Sequence, residues 1–533
     1  MTETLLVAGS NSGYQLGVGH DQDVRTLQQA LCQIGPDTQD VASFPPIGWS
    51  VVDVSSGANH TLALVESDAA DRDAPEQGAR KEVWIAGTGS QGQLGPAHST
   101  SESRPLKVFT RLDLKACLED CDGVSPTLLS QVSPEPKRIV CGWNCSYIVL
   151  AFGEVDRLDH SRQDVLVSFG LHRDNTFGEL GCQPRSPSNT AGLSVHEVSF
   201  ASALTEAGLD ADVPFDIVDV AAGLRHGAAI LSVGAKVRHQ RRIILVGWGS
   251  TRQGQVGRVP ERPPKQPGPS KRPGSATATI VSEPQIVFDW SMADNGGFRC
   301  KLRAGKDHTV VLLQRSSKEE DIELHSIGSN KQGQLLDTSV LLQHKSALED
   351  VVDVSCNWNG THCLVHRKDG EQVILSCGNN SRGQFGNAKT TARVEADRLT
   401  STDLTTILQQ ASSNSTTTSS KTALQKLVSG SEHSLLLVER RPTTVGTPLN
   451  DSNGGPIVDR QVWGWGWNEH GNLAQGPHDE ADRHCPTLLL DGTRSGAAQQ
   501  QNAYTPLNIW AGCGTSFLLV ESTDNKQIGS AID

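Results

Sequence analysis

Short apolar runs recur along the chain behind a small residue and a glycine, with polar, Gly-rich stretches between them. Thr61 to Val65 (TLALV) and Thr309 to Leu313 (TVVLL) are two of them. Their length, β-forming residues and amino-side Gly breaks predict strands, since an amphipathic helix would space its apolar residues three and four apart over a longer stretch. Each run closes a string that pairs a Gly or small residue with His, or a substitute, three positions on. The copies are SSGANHTLALV ending at Val65, VCGWNCSYIVL at Leu150, AAGLRHGAAIL at Leu231, RAGKDHTVVLL at Leu313, SCNWNGTHCLV at Val365, VSGSEHSLLLV at Val438 and WAGCGTSFLLV at Val520.

A second, Gly-rich string alternates with the first. It reads GSNSGYQLG from Gly9, GTGSQGQLG from Gly87, GLHRDNTFGELG from Gly170, GSTRQGQVG from Gly249, GSNKQGQLL from Gly328, GNNSRGQFG from Gly378 and GWNEHGNLA from Gly466. The starts are 78, 83, 79, 79, 50 and 88 residues apart. The shortest spacing approximates the bare unit and matches one four-stranded propeller blade. The expectation is an all-β chain, 1–533, folded as a single seven-bladed β-propeller, with approximate repeats 1–80, 81–160, 161–235, 236–320, 321–370, 371–455 and 456–533. Closing the ring removes free strand edges. Gly9, Gly57, Gly87, Gly223, Gly305, Gly378, Gly430 and Gly512 are expected where strands turn tightly or backbones crowd the axis.

Seven bare units need only about 350 residues, so the rest lies in insertions. Those at 66–77 (acidic, Ala-rich), 258–274 (Pro-rich and basic), 401–421 (Ser/Thr-rich) and 442–455 have compositions unsuited to a core and are expected to be mobile loops.

Composition narrows the function. Hydrophobic residues make up 36% and charged residues 20%, which suits a folded chain. Lys plus Arg number 47 against 60 Asp plus Glu, a net charge of −13, so direct DNA binding is not expected. The sequence MTETLLVAGSNSG lacks a basic stretch before its apolar residues, and no run is long enough to span a membrane. Cytoplasm and nucleus are the expected compartments, with the 12 cysteines reduced.

Candidate chemistry dissolves into the repeats. Gly87 to Gly92 spells GxGxxG, but Leu94, Gly95 and Pro96 follow where a dinucleotide site needs a helix. Cys117, Cys121, Cys141 and Cys145 have zinc-like spacing, yet Cys141 and Cys145 occupy the small-residue and His positions of the repeat. His60, His226, His308 and His433 fall one per blade, too far apart for a ligand set, and are expected to bond backbone within their own blades. No catalytic, cofactor or metal residue is assigned, and the chain is expected not to be an enzyme. Trp accounts for 10 of 24 aromatic residues, and Trp463, Trp465 and Trp467 alternate along one stretch. Trp fills gaps between blades or forms a partner patch on a rim; Trp143, Trp248, Trp358, Trp465 and Trp467 are candidates for the patch.

With both strings in place seven times, the chain resembles the regulator of chromosome condensation repeat family, whose members include exchange factors, chromatin binders, ligase modules and scaffolds. The first repeat, AGSNSGYQLGVGHDQDV (Ala8 to Val24), is also similar to the opening of fungal alpha-tubulin suppressor proteins, the killer-toxin-insensitivity propellers. That narrower resemblance implies an accessory role in Elongator-dependent tRNA wobble-uridine modification and in diphthamide synthesis, through a small zinc- or iron-binding partner protein. It makes the loop from Ser10 to Val24, with Asn11, Tyr14, His20, Asp21 and Asp23, the expected partner contact. The alternatives are guanine nucleotide exchange on a Ran-like small GTPase, a chromatin-associated relative, or a factor in tubulin homeostasis. By itself the chain is expected to be a monomer.

Overall fold

The computed structural model describes residues 2–35, 40–68, 79–100, 103–119, 121, 124, 134–152, 164–183, 194–234, 240–257, 280–293, 297–315, 322–336, 338–343, 348–388, 393–394, 399–410, 418–444, 447–448, 458–492 and 504–522. Of the insertions, 258–274 lies wholly outside these residues, and 66–77 and 442–455 lie outside them apart from short strand ends. The stretch 401–421 departs from its expectation at both ends, and its last four residues open the strand Thr418–Ser429. Thr405–Gln410 is helical, and Ile407 within it and Leu404 just before it are buried in the core beside Leu364 and Ile374.

Among the described residues the strands form seven sheets around an axis, antiparallel apart from a single parallel bridge between Cys32 and Phe109. The first blade holds Trp49–Ser56, His60–Ser67, Lys81–Gly87 and Leu106–Arg111, and the second Pro134–Cys141, Ser146–Phe152, Asp164–Phe169 and Val195–Glu197. The third holds Phe215–Ala222, His226–Val233, Gln240–Ser250 and Ile280–Ala293; the fourth Arg299–Ala304, His308–Gln314 and Ile322–Gly328. The fifth begins with Leu348–Asn357, Gly360–Arg367 and Gln372–Asn379, and the sixth holds Thr418–Ser429, His433–Thr444, Asp459–Gly466 and Arg483–Asp491. The seventh joins both ends of the chain: Tyr504–Ala511, Thr515–Ser522, Thr2–Gly9 and Val24–Gln29. Each unit of the sequence therefore starts with the last strands of one blade and ends with the first strands of the next. This offset lets Thr2–Gly9 pair with Thr515–Ser522 along its full length and close the ring.

The core lies between blades. Leu5, Val7 and Phe517 of the seventh blade pack with Val54, Ala63 and Trp84 of the first. At the same seams the two strings interlock. The main-chain carbonyl at the Gln position of each Gly-rich string accepts a hydrogen bond from the next blade. Thr61 Oγ1 donates to Gln15 O at 2.7 Å, Ser146 Oγ to Gln93 O at 2.9 Å and Thr309 Oγ1 to Gln255 O at 2.9 Å. Thr361 Oγ1 donates to Gln334 O at 2.7 Å and Ser516 Oγ to Asn472 O at 2.7 Å. At the two remaining seams an indole takes over: Trp248 Nε1 donates to Glu179 O at 2.9 Å, and Trp465 Nε1 to Gln384 O at 2.8 Å.

Three of the four repeat histidines belong to these latches, which corrects the expectation that each bonds within its own blade. His226 Nε2 lies 2.9 Å from Thr309 Oγ1, His308 Nε2 3.3 Å from Thr361 Oγ1 and His433 Nε2 3.1 Å from Ser516 Oγ, each across a seam. Because the hydroxyl hydrogen goes to the carbonyl, the imidazole donates from Nε2. Burial pushes His226 down to about 3, and His60, His308 and His433 to about 4. The partner Gly is sterically required: a Cβ on Gly305 would sit 2.1 Å from His308 Cε1 and 2.5 Å from Asn357 O. In the fifth blade Asn357 and Gly360 replace the usual Gly and His. His362, two residues on, fills the gap and bonds Asn357 Nδ2 at 3.0 Å and Ser376 Oγ at 2.8 Å.

The innermost strands line an axial channel of about 540 Å³. Four residues before each repeat Gly, or its Asn357 substitute, stand Asp53, Arg138, Asp219, Lys301, Asp353, Lys426 and Asn508. Around the ring the charges alternate in sign, and the neutral Asn508 stands where an odd number of blades prevents alternation from closing. Asp219 lies 3.6 Å from Arg138 and 3.3 Å from Arg303, Lys301 Nζ 2.7 Å from Asp353, and Lys426 Nζ donates to Asn508 Oδ1 at 2.8 Å. Burial pulls the Lys426 ammonium down to about 8, with Asp53 acting the other way.

Candidate partner-binding face

First and third strands of a blade run the same way, so the turn after the first strand and the loop after the third emerge on one face. The inner turns carry Gly57, Gly223, Gly305, Gly430 and Gly512; the outer loops are the Gly-rich strings. Gly9, Gly87 and Gly378 open their loops at φ of 113°, 106° and 110°, conformations that exclude a Cβ. Two side chains then brace each loop. In the first string Asn11 Oδ1 accepts from Leu16 N at 3.0 Å, and Gln15 Oε1 from Gly13 N at 2.8 Å. Asn11 also donates to the carbonyls of His20 and Gln22, and it is fully buried.

The expected contact residues therefore divide. Asn11, Trp248 and Trp465 are fully buried and offer a partner no surface. The first braces its loop and the two tryptophans are seam latches. The alternation of Trp463, Trp465 and Trp467 ends with the strand at Gly466, so Trp463 and Trp465 enter the core while Trp467 emerges on the face.

Trp143 and Trp358 sit half-buried on inner turns of the second and fifth blades and meet across the axis, ring centroids 5.5 Å apart. Lys306 Nζ lies 5.6 Å over the Trp358 ring. A chain of main-chain bonds holds these turns: Ala58 N to Trp143 O at 3.0 Å, Lys306 N to Trp358 O at 3.0 Å, Trp358 N to Ser431 O at 2.8 Å and Ser431 N to Gly512 O at 3.1 Å. A second cluster spans the sixth and seventh blades. Trp467 stands edge-on to His470 at 5.1 Å, and His470 Nδ1 lies 2.7 Å from Asp23 Oδ2. Asp23 Oδ1 accepts from Asn11 N at 3.1 Å. Beside it Asp21 is exposed, His20 Nδ1 accepts from Gln22 N at 3.2 Å, and Tyr14 adopts φ 64° with Lys107 Nζ 5.7 Å from its ring centroid.

Lys306 and His470 escaped the sequence reading. Each meets its aromatic partner only after folding, although Lys306 directly follows a repeat Gly. Cys141 Sγ donates to Ser55 O at 3.1 Å and Cys145 Sγ to Tyr147 Oη at 3.5 Å, with both thiols pushed up to about 12 by burial. Among the described residues no group of three or more His, Cys, Asp or Glu is arranged to hold a metal.

No protein-family model matches the chain. It is similar to a secretion-regulating guanine nucleotide exchange factor of mouse, 24% identical over 496 residues that cover 91% of this chain and 79% of the relative. An RCC1 repeat-containing protein of Schizosaccharomyces pombe is 22% identical over 524 residues, covering 97% and 99%. Among solved structures, human WBSCR16 matches with a TM-score of 0.56 at 15% identity, covering 98% of this chain and all of the other. Prp20p of Saccharomyces cerevisiae, described with its binding to Gsp1p and histones, matches with a TM-score of 0.52 at 16% identity, covering 98% and 92%. Two strings repeated sevenfold and a ring closed by both chain ends make this chain a seven-bladed propeller, similar to proteins of the regulator of chromosome condensation repeat family.

Proposed function

We propose that the chain is a non-enzymatic binding propeller that presents the face of inner turns and outer loops to a small partner protein. The observation that carries this is the half-buried Trp143–Trp358 pair beside Lys306 at the centre of that face, whereas the seam tryptophans Trp248 and Trp465 are fully buried latches. Half-exposed indoles beside a cation are typical interface anchors. The resemblance of Ala8 to Val24 supports a small zinc- or iron-binding protein as partner. The chain would then act in cytoplasm or nucleus as an accessory factor in Elongator-dependent wobble-uridine modification and diphthamide synthesis. A second reading, nucleotide exchange on a small GTPase, is supported by the mouse relative's name.

Purified chain and the W143A/W358A variant decide between these readings. The first expects retention of the small metal-binding protein, loss of at least tenfold in affinity in the variant, and reduced wobble modification and diphthamide on deletion. Faster guanine nucleotide release from the GTPase, with no retention of the metal-binding protein, supports the second reading and removes the first. Neither retention nor nucleotide release removes both.

A further inference from the structure

The charges on the loop-bearing face are sorted by blade. In the described inner turns and outer loops of the third, fourth and fifth blades the cations are Arg225, Arg252, Lys306, Lys331 and Arg382, and Asp307 is the one anion. In the same elements of the sixth and seventh blades stand Glu432, Glu469, Asp479, Glu480 and Asp482, then Asp21 and Asp23, with no Lys or Arg. The first blade's described loops carry only Arg104, at the entry to its outer strand, and the second blade's carry Arg173 paired with Asp174, and Glu179. A basic sector on a chain of net charge −13 runs against the composition.

Local contacts show the sectors to be continuous. The Arg225 and Arg252 guanidinium carbons lie 3.9 and 5.8 Å from the centre of the Phe177 ring. Leu224 N donates to Lys306 O, and Lys306 N to Trp358 O, tying the third, fourth and fifth blades together. Arg382 meets Asp482 at 3.3 Å where the sectors join. On the acidic side Arg25 and Arg483, both on strands, pair with Glu480 at 2.8 Å and with Asp479, and among the described residues Asp21 and Glu469 stand outside any ion pair with a Lys or Arg. Arg225, Arg252, Lys331 and Arg382 are exposed, as are Asp21, Glu469 and Glu480.

We propose that this face takes a protein whose contact surface is sorted the opposite way, an acidic lobe over the third to fifth blades and a basic lobe over the sixth and seventh, with the Trp143–Trp358 pair between them. The inference rests on the partner-binding reading above and adds the partner's charge pattern and orientation. Opposed patches steer encounter and fix orientation, and reject a partner turned around the axis. A nucleic acid fits less well, because a uniform polyanion long enough to cross the basic sector meets the acidic one.

The test uses the full chain with three fluorescent probes at low salt: an octaglutamate peptide, an octalysine peptide and a deoxyadenosine octamer. We expect the two peptides to bind together, not in competition. R225E/R252E/K331E should weaken octaglutamate at least tenfold and spare octalysine; D21K/E469K/E480K should do the reverse. R252E/K331E, which leaves Arg225 on Phe177, serves if the triple variant melts early. Absence of octaglutamate binding, or binding of it unaltered by the basic-sector variants, overturns the sorted face. Tighter binding of the deoxyadenosine octamer than of octaglutamate overturns the commitment to a protein. Retention of a candidate partner with affinity and on-rate unmoved by either set of reversals would sink this inference while leaving the partner-binding reading intact.

Discussion

At the scale of single residues, the repeat is explained by where one hydroxyl points. Thr309 Oγ1 donates to Gln255 O and receives the Nε2 hydrogen of His226, all three groups being buried between the third and fourth blades. Thr309→Val keeps the shape and strands both partners. Leaving buried polar groups unpaired costs about 1–3 kcal/mol, so the urea midpoint should fall accordingly, whereas Thr309→Ser should stay near the parent. Equal midpoints for the two variants would show that the latch does not hold the seam. Trp248 supplies the parallel case, since Trp248→Phe removes the donor to Glu179 O and part of the buried ring and should be milder than Trp248→Ala, which empties most of the core site.

At the scale of the element, the blade's first strand carries information that the repeat string alone hides. The strings made the strands, the sevenfold count and the crowded glycines legible, because φ and close packing constrain residue type directly. The latches were not legible, because Thr309 and Gln255 are 54 positions apart and nothing along the chain marks which blade a side chain faces. For the same reason Trp248 and Trp465 looked like rim residues. Asn11 looked like a loop contact because its role depends on a loop that folds back over it. The alternating charges of the axial ring were visible four residues before each repeat Gly, but only a closed ring makes neighbours of them. The odd position tests their weight. Asn508→Lys removes the acceptor of Lys426 and places a like charge beside it, while Asn508→Asp satisfies Lys426 and sets a second carboxylate in the ring position next to Asp53, which burial already disfavours as an anion. About 1 kcal/mol is expected for each, the upper range for a partly exposed ion pair. Both variants should melt below the parent, the lysine variant lowest; parent-like melting of both would mean that the ring's charge order is without energetic effect.

At the scale of the whole molecule, the buried imidazoles act together on stability. His60, His308 and His433 are held down to about 4 and His226 and His362 to about 3, in every case chiefly by burial. In the unfolded chain each titrates near about 6.5. Above that pH neither state holds the proton and the stability is complete. As pH falls through about 6.5 toward 4 the unfolded chain takes up protons that the folded chain refuses, so stability drops, by up to about 1.4 kcal/mol per pH unit for each histidine. Asp53, Glu179, Glu197 and Glu432 work in the opposite sense, since burial raises their pKa and protonation suits the folded state. Carboxyls make that gain between their raised values and the ordinary range near about 4, so it offsets part of the imidazoles' loss over the same pH range. With five buried imidazoles against four carboxyls, the urea midpoint should still fall between pH 7 and pH 5 and persist in doing so at high salt, because burial and not surface charge sets the shifts. His362→Gln should make the decline shallower by about one proton's share while lowering the midpoint at pH 7, since Asn357 and Ser376 lose part of their pairing. A midpoint that holds level from pH 7 to pH 5 would show that the seams admit protons and that the ring is not closed by neutral latches.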